Sequence, residues 1–399
     1  MSINTIKSIF ENEGMNIMVD CNELETEQYF KPLGHADDAS YNSNDTRYIL
    51  NQRKINIWRF LKKIGATIEY IKSGTTGHTF KGQITKNGDV IFTFAMKVSA
   101  YQKSDSYGET TNLTRPENAE IMMLRVLSYF IATKQTPHLI IPIQTFHTDI
   151  KFFTTLAKDG YIKTDVKRYN EFVERCKKGK YEDTVSILFS EWANKGDFSE
   201  FVKHRYKNFQ LKHWKVLFFQ ILSVVAVIQS KYPAFRHNDM KANNILVNKL
   251  QLSGKKTQHL YTICGKTYMV PNIGYQIKLW DFDFACIKGC VDNIKVNIDW
   301  TRDLNITAEK NQYYDIHYFF STLTSQGFLH DVILDTTCVP DAIRSFISRV
   351  VPSEYKTVPN VNEKGRLLIN HEYTTPQRVL EEDEFFAEFR KKLKKNENA

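Results

Sequence analysis

The chain has 399 residues, 42% hydrophobic and 25% charged, which is the balance of a globular protein with room for two or three compact units. Disordered, collagenous and coiled-coil classes are excluded. Lys and Arg outnumber Asp and Glu by 54 to 45, and the net charge of +9 favours phosphates, acidic peptides, nucleic acid or anionic lipid without choosing among them.

The six cysteines are too sparse for a disulfide scaffold, and Cys286 and Cys290 lack a second pair at zinc-site spacing. The N-terminal stretch has polar breaks where a signal peptide needs an apolar core. The most apolar run, 216–228, contains Gln220 and is shorter than the roughly 20 residues that cross a bilayer. These features predict a soluble protein of a reducing compartment, with no transmembrane segment.

Residues 1–50 are polar and without sustained periodicity, and read as an extension. Two β-prone runs follow at 66–71 and 90–98, bounded by Gly or Asn-Gly. A helix is expected over 116–133, with Asn112 or Thr114 as cap, Pro116 in its first turn, and Ile121, Leu124, Leu127 and Ser128 on one face. Residues 139–146 read as a strand, 147–183 as a lysine-rich irregular insertion, and 184–189 as another strand.

Beyond 191 the pattern becomes mainly helical, with a short helix over 198–204 and a long buried one over 213–232. A polar loop leads into the strand Ile245-Leu246-Val247, and 250–275 reads as a second insertion. The tail 375–395 is predicted helical, because Thr375 can cap it, acids come early and bases late. The predicted organisation is a polar extension (1–50), a β-rich unit (51–190) and a helical unit (191–399).

The most informative run is Phe235-Arg-His-Asn-Asp-Met-Lys-Ala-Asn-Asn-Ile-Leu-Val247, which carries the spacing H-x-D-x-K-x-x-N before an apolar strand. Phosphoryl transfer needs a carboxylate for the acceptor hydroxyl, a cation on the transferred group and an oxygen ligand for Mg²⁺. Asp239, Lys241 and Asn244 supply these on one loop. Downstream, Ile277-Lys-Leu-Trp-Asp-Phe-Asp-Phe284 leads an apolar strand into Asp281, a second candidate metal ligand.

Upstream, Gly74 and Gly77 lie in Ser73-Gly-Thr-Thr-Gly-His-Thr-Phe-Lys81, where the missing Cβ would let backbone N–H groups approach phosphate. Such a spacing alone also fits a hairpin turn. Lys97, in the strand Phe94-Ala-Met-Lys-Val98, is a candidate for the α- and β-phosphates. It needs a helical carboxylate partner, for which Glu120 is the choice and Glu117 the reserve.

In this order the motifs resemble those of eukaryotic-type protein kinases over roughly 63–392, and most closely the divergent serine/threonine kinases of poxviruses and other large cytoplasmic DNA viruses. The marks of that subgroup are Asp281-Phe-Asp-Phe284, Tyr313-Tyr-Asp-Ile-His-Tyr-Phe-Phe320 and the closing 376–389 stretch with Phe385-Phe386. The resemblance implies an α+β bilobal fold. It has a small antiparallel sheet lobe with one helix, a larger helical lobe, and ATP with Mg²⁺ (Mn²⁺ as second candidate) in the cleft. It implies a hinge at Ser190-Glu191-Trp192 for adenine, Asp197 near the ribose, and Asp315 as a buried carboxylate holding the catalytic loop. Protein substrates with Ser or Thr acceptors are implied, as is action in the host cytoplasm or a virion.

Four features depart from the family pattern. Lys72 stands where the first glycine of the loop is usual, Asp283 where D-F-G has glycine, Asn238 where an arginine often grips a phosphate, and no A-P-E motif follows. Asp283 predicts a segment held in one state, and Asn238 predicts activity independent of phosphate on Thr301 or Thr307. Lys241 separates this reading from a small-molecule kinase of the choline or aminoglycoside type. The presence of Lys97, Asp239 and Asp281 separates it from an inactive scaffold. The basic run 390–395 reads as a helix C-terminus rather than a nucleic-acid site, though peripheral lipid contact fits it too. His237 reads as a brace for the loop.

Overall fold

The computed structural model describes residues 18, 53–74, 76–104, 107–163, 166–250 and 257–390. The expected extension 1–50 lies outside them except for Met18, which is buried and donates its N–H to Ile143 O at 2.9 Å. The architecture is mixed α/β and divides into two compact units. The first takes residues up to 132, with 140–192 and 291–294; the second takes 133–139, 193–290 and 295 onward.

The first unit is built on six strands, β1 (Arg53–Lys54), β2 (Ala66–Ser73), β3 (Gly77–Lys86), β4 (Asp89–Gln102), β5 (Pro142–Asp149) and β6 (Tyr181–Glu191), in the order β1-β5-β6-β4-β3-β2. Strand β1 runs parallel to β5, and every other pairing is antiparallel. The sheet is therefore not wholly antiparallel as expected. In β4, Phe92, Phe94, Met96, Val98 and Ala100 are buried at every second position, as the strand period of two requires. The neighbours Phe80, Ile187 and Phe189 belong to the same core.

Among the described residues three helices belong to this unit: α1 (Ile57–Lys63), α2 (Pro116–Ala132) and α3 (Lys167–Lys177). Asn112 Oδ1 accepts from Thr114 N at 3.0 Å and from its hydroxyl at 2.9 Å, shaping the turn into α2. From Pro116 to Phe130 every residue of α2 is buried, wider than the single face expected. The stretch 147–183 differs more. Strand β5 runs on to Asp149, α3 follows, and Phe153, Leu156, Ile162, Tyr169 and Phe172 join the core beside Phe80. The apolar residues Tyr169, Phe172, Val173 and Cys176 recur at helical spacing amid lysines, so the segment packs as structure rather than as irregular surface.

The second unit is organised around α5 (Leu211–Lys231), preceded by α4 (Phe198–Arg205) and followed by α6 (Tyr314–Thr324), α7 (Asp341–Val350) and α8 (Pro376–Glu382). By length and composition α5 is apolar enough to span a membrane, but 78% of its most apolar window is buried inside the structure. Gln220 explains its own place there, donating to Tyr275 O at 3.1 Å and accepting from Ile277 N at 2.9 Å. Phe218 packs on Phe320 and Phe346, with ring centroids 5.2 and 5.8 Å away.

Among its described residues the unit also holds three two-stranded ribbons. They pair β7 (Phe235–Arg236) with β12 (Cys286–Ile287), β8 (Ile245–Lys249) with β11 (Tyr275–Leu279), and β9 (Gln258–Ile263) with β10 (Lys266–Pro271). The β9–β10 hairpin occupies the expected insertion 250–275 and packs Tyr261 and Tyr268 against Phe219 of α5, at 5.2 and 5.3 Å.

Two further expectations are corrected. The strand expected to start at Leu139 starts at Pro142, because Leu139 pairs with Leu279 instead and His138 O accepts from Leu279 N at 2.9 Å. The tail is not one helix. Asp383 leaves helical geometry (φ −67°, ψ 131°), caps Phe385 N at 2.8 Å and receives both Arg349 bonds, so a short 3₁₀ turn, Glu384–Phe389, buries Phe385, Phe386 and Phe389. Residues beyond 390 lie outside the described set. The five described cysteines form no disulfide among the described residues.

Candidate active site

In the second unit the loop between β7 and β8 is held from beneath. Asp315, fully buried near the start of α6, accepts the backbone N–H of His237 at 2.7 Å and of Asn238 at 2.9 Å. Burial raises the Asp315 carboxyl above its ordinary value, partly offset by His237, the two N–H donors and Arg236. His237 is a brace: it is buried, its Nε2 lies 3.0 Å from Trp280 O and its ring packs on Phe282. Asn238 adopts φ 61°, a left-handed conformation that Asn tolerates better than most residues.

This support presents Asp239. Lys241 Nζ donates to its Oδ2 at 2.8 Å, and Asn244 Nδ2 donates to the same oxygen at 2.8 Å and to the backbone carbonyl at 2.9 Å. With the Asn244 amide nitrogen so committed, its side-chain oxygen is the group left for a cation. Asp281 arises nearby through the β8–β11 register, in which Leu279 pairs with Ile245 and Trp280 N donates to Asn244 O at 3.2 Å. Asp281 has φ 65°, so the left-handed position in the Asp-Phe-Asp segment is 281 and not 283. Asp283 instead forms an ion pair with Lys295, whose Nζ also sits 4.0 Å from the centre of the Phe284 ring.

In the first unit, Lys97 of β4 reaches Glu120 of α2 with Nζ 2.6 and 2.8 Å from the two carboxylate oxygens. Glu117, the reserve choice, turns instead to Arg115 and to Gln102 N. Gly74 N donates to Gly77 O at 2.8 Å, closing the turn between β2 and β3. Packing by itself requires glycine at 77: a Cβ there would lie 1.7 Å from Val98 O in β4. At the end of β6, Glu191 exchanges bonds with Ile141, its N–H donating to the carbonyl and its carboxylate accepting the N–H, both at 2.9 Å. The Glu191 N–H is thereby committed within the sheet. Trp192 lies under Lys81, 5.9 Å from ring centre to Nζ. Asp197, in the second unit, caps α4 through Glu200 N at 2.9 Å.

The family model described as Poxvirus serine/threonine protein kinase matches residues 106–337, which take in Glu120, the loop at 235–247 and the Asp281 segment. The R400 protein of Acanthamoeba polyphaga mimivirus, whose name assigns it serine/threonine-protein kinase activity by inference, is 42% identical over 393 residues, covering 97% of this chain and 80% of R400. The chain belongs to the poxvirus serine/threonine protein kinase family. It is accordingly a divergent viral member of the protein kinases, a class that uses ATP and a divalent metal ion.

The kinase holds two arginines that sequence reasoning passed over. Arg236 is buried three residues before Asp239, with its guanidinium 3.8 Å from the Tyr314 ring centre, and donates to Asn305 O at 2.5 Å and Thr307 Oγ1 at 2.8 Å. Its adjacency to the H-x-D motif was the available signal. Arg366 reaches the Asp239 carboxylate from 127 residues downstream, and no spacing in the chain marks it. As for a metal, no cluster of three His, Cys, Asp or Glu side chains is present among the described residues. One carboxylate and one amide oxygen fit a Mg²⁺-type ion, which takes few protein oxygens and completes its shell with phosphate and water.

Proposed function

We propose that this kinase transfers the γ-phosphoryl group of ATP to Ser or Thr hydroxyls of protein substrates, with its two units serving as the nucleotide and catalytic lobes of a bilobal kinase. The observation that carries the reading is the Asp239 carboxylate, held by Lys241 and Asn244 on a loop fixed to buried Asp315. Asp239 accepts the hydrogen of the attacking hydroxyl and orients its lone pair. Lys241, two residues on, neutralises charge on the group in transfer, which in a largely dissociative transition state is the main electrostatic demand.

Lys97, oriented by Glu120, supplies positive charge to the α- and β-phosphates, beneath the turn at Gly74 and Gly77. Glu191 serves adenine through its backbone carbonyl and Trp192 through its backbone, and Asp197 serves the ribose with the oxygen not used in capping. Asp281 and Asn244 would hold the divalent ion, Mg²⁺ or Mn²⁺, which when bound screens the β- and γ-oxygens. Action in the host cytoplasm belongs to the same proposal.

The test is to incubate purified protein with labelled ATP and Mg²⁺, offering casein, a basic protein, choline and aminoglycosides in parallel, with Asp239→Asn as control. Label on Ser or Thr is the expected result. Label on a small molecule, or none above the control, overturns it.

A further inference from the structure

Asp239 has a third partner besides Lys241 and Asn244. Arg366 Nη2 donates to Asp239 Oδ1, while Nη1 donates to Asn238 O at 2.5 Å and to Tyr314 Oη at 3.4 Å. The guanidinium lies 4.1 Å from the centre of the Tyr318 ring, and the side chain is 9% exposed. We propose that Arg366 is a positioning residue of the phosphotransfer site, setting the rotamer of the Asp239 carboxylate that receives the acceptor hydroxyl. The inference rests on the reading of Asp239 given above.

Counting acceptor sites shows what Arg366 does. A carboxylate offers about four lone-pair positions. Lys241 and Asn244 occupy those of Oδ2 and Arg366 takes one on Oδ1, so the position left for a hydroxyl is the second one on Oδ1. Without Arg366 the carboxylate is fixed on one oxygen only and can turn about its Cβ–Cγ bond. The same guanidinium also clamps the carbonyl of Asn238, the residue in left-handed conformation just before Asp239.

The loop that delivers Arg366 is built rather than loose. Asn362 Oδ1 accepts Lys364 N at 3.0 Å and Arg366 N at 2.9 Å, and Asn362 N donates to Arg366 O at 3.0 Å. Gly365 takes φ 78°, and a Cβ on it would lie 3.0 Å from Ser321 Cβ of α6, so the turn seats against the helix that carries Asp315. On the other side, Asn305 Nδ2 donates to Leu367 O at 3.0 Å.

The experiment compares Arg366→Met, Arg366→Lys and Asp239→Asn, measuring kcat, KM for ATP and the thermal midpoint of each. Because Arg366 acts on the acceptor-side carboxylate, Arg366→Met should lower kcat about 100-fold while KM for ATP stays within about twofold. Arg366→Lys, which keeps a cation but loses the fork, should recover about tenfold of that loss. A folded Arg366→Met that turns over within about threefold of the parent overturns the proposal, as does a loss shared equally with KM for ATP. Should Arg366→Met fail to fold, Arg366→Lys decides: kcat lowered at unchanged KM for ATP supports the proposal, and parental kcat overturns it. Turnover retained in Asp239→Asn instead overturns the reading of Asp239 itself, whereas an inactive Asp239→Asn beside fully active Arg366 variants removes only the role of Arg366.

Discussion

A methyl group at position 77 would stand 1.7 Å from the carbonyl oxygen of Val98, whereas at position 74 the nearest atom, Gly77 O, is 4.0 Å away. The two glycines therefore meet different packing constraints, although their spacing reads as one phosphate-binding feature. Gly77→Ala should lower stability by about 3 kcal/mol or more, because β3 and β4 cannot keep their register around the added carbon. Gly74→Ala should leave stability within about 0.5 kcal/mol and show its effect in ATP affinity instead. Denaturant unfolding and nucleotide titration of both variants check this, and equal stability loss in the two would contradict it. The choice of Glu120 over Glu117 was readable, since it needed only helical periodicity and a lysine wanting a partner. The reason for Gly77 was not, because register between strands is a property of the folded sheet.

At the scale of an element, the segment from Phe284 to Thr307 is tied at both ends by one neutral side chain. Asn238 Nδ2 donates to Phe284 O at 3.0 Å and to Thr307 O at 3.1 Å, bridging positions that a phosphate–arginine contact would otherwise organise. Arg236 adds bonds to Asn305 O and Thr307 Oγ1, and Thr301 is buried with its hydroxyl donating to Ile298 O at 2.7 Å. A Thr301→Ala, Thr307→Ala double variant should therefore lose about 1 kcal/mol of stability per deleted bond yet keep kcat within a few-fold. Near-complete loss of turnover in a folded double variant would show that phosphate is required.

The Asp283–Lys295 pair, with Lys295 over Phe284, fastens the start of the same segment. Asp283→Gly should speed amide exchange across 281–296 and weaken ATP binding several-fold. Unchanged exchange and affinity would remove that role. The motif at 235–247 was legible because its chemistry is packed into consecutive residues. The ties from Asn238 to Phe284 and Thr307, and from Arg366 to Asp239, were hidden because they join residues far apart in the chain. Within 147–183, Tyr169, Phe172, Val173 and Cys176 carried a helical signal that the surrounding lysines obscured.

Across the whole molecule, groups that the sequence could number but not bury contribute to the pH dependence of folding. His78 in the first unit and His138 in the second are depressed by burial to about 3, and His317 in α6 to about 4. Each stays neutral in the folded chain at pH values where the unfolded chain, with an ordinary histidine near 6.5, takes up a proton. The unfolded state then binds more protons. The stabilisation from each histidine is present above about pH 6.5 and is lost as pH falls toward the folded value. Glu117 and Asp315, raised by burial, act with the opposite sign, so a single variant isolates the histidine contribution better than the parent curve. His317 Nε2 lies 2.7 Å from Tyr355 O, and His317→Asn offers an amide donor in its place without a group that titrates. Between about pH 7.5 and 5.5 the parent should lose about 1 kcal/mol more stability than His317→Asn, which chemical denaturation at the two values measures directly. Parallel stability–pH curves would mean that His317 titrates alike in the folded and unfolded chains, and that its burial on α6 leaves its proton affinity unchanged.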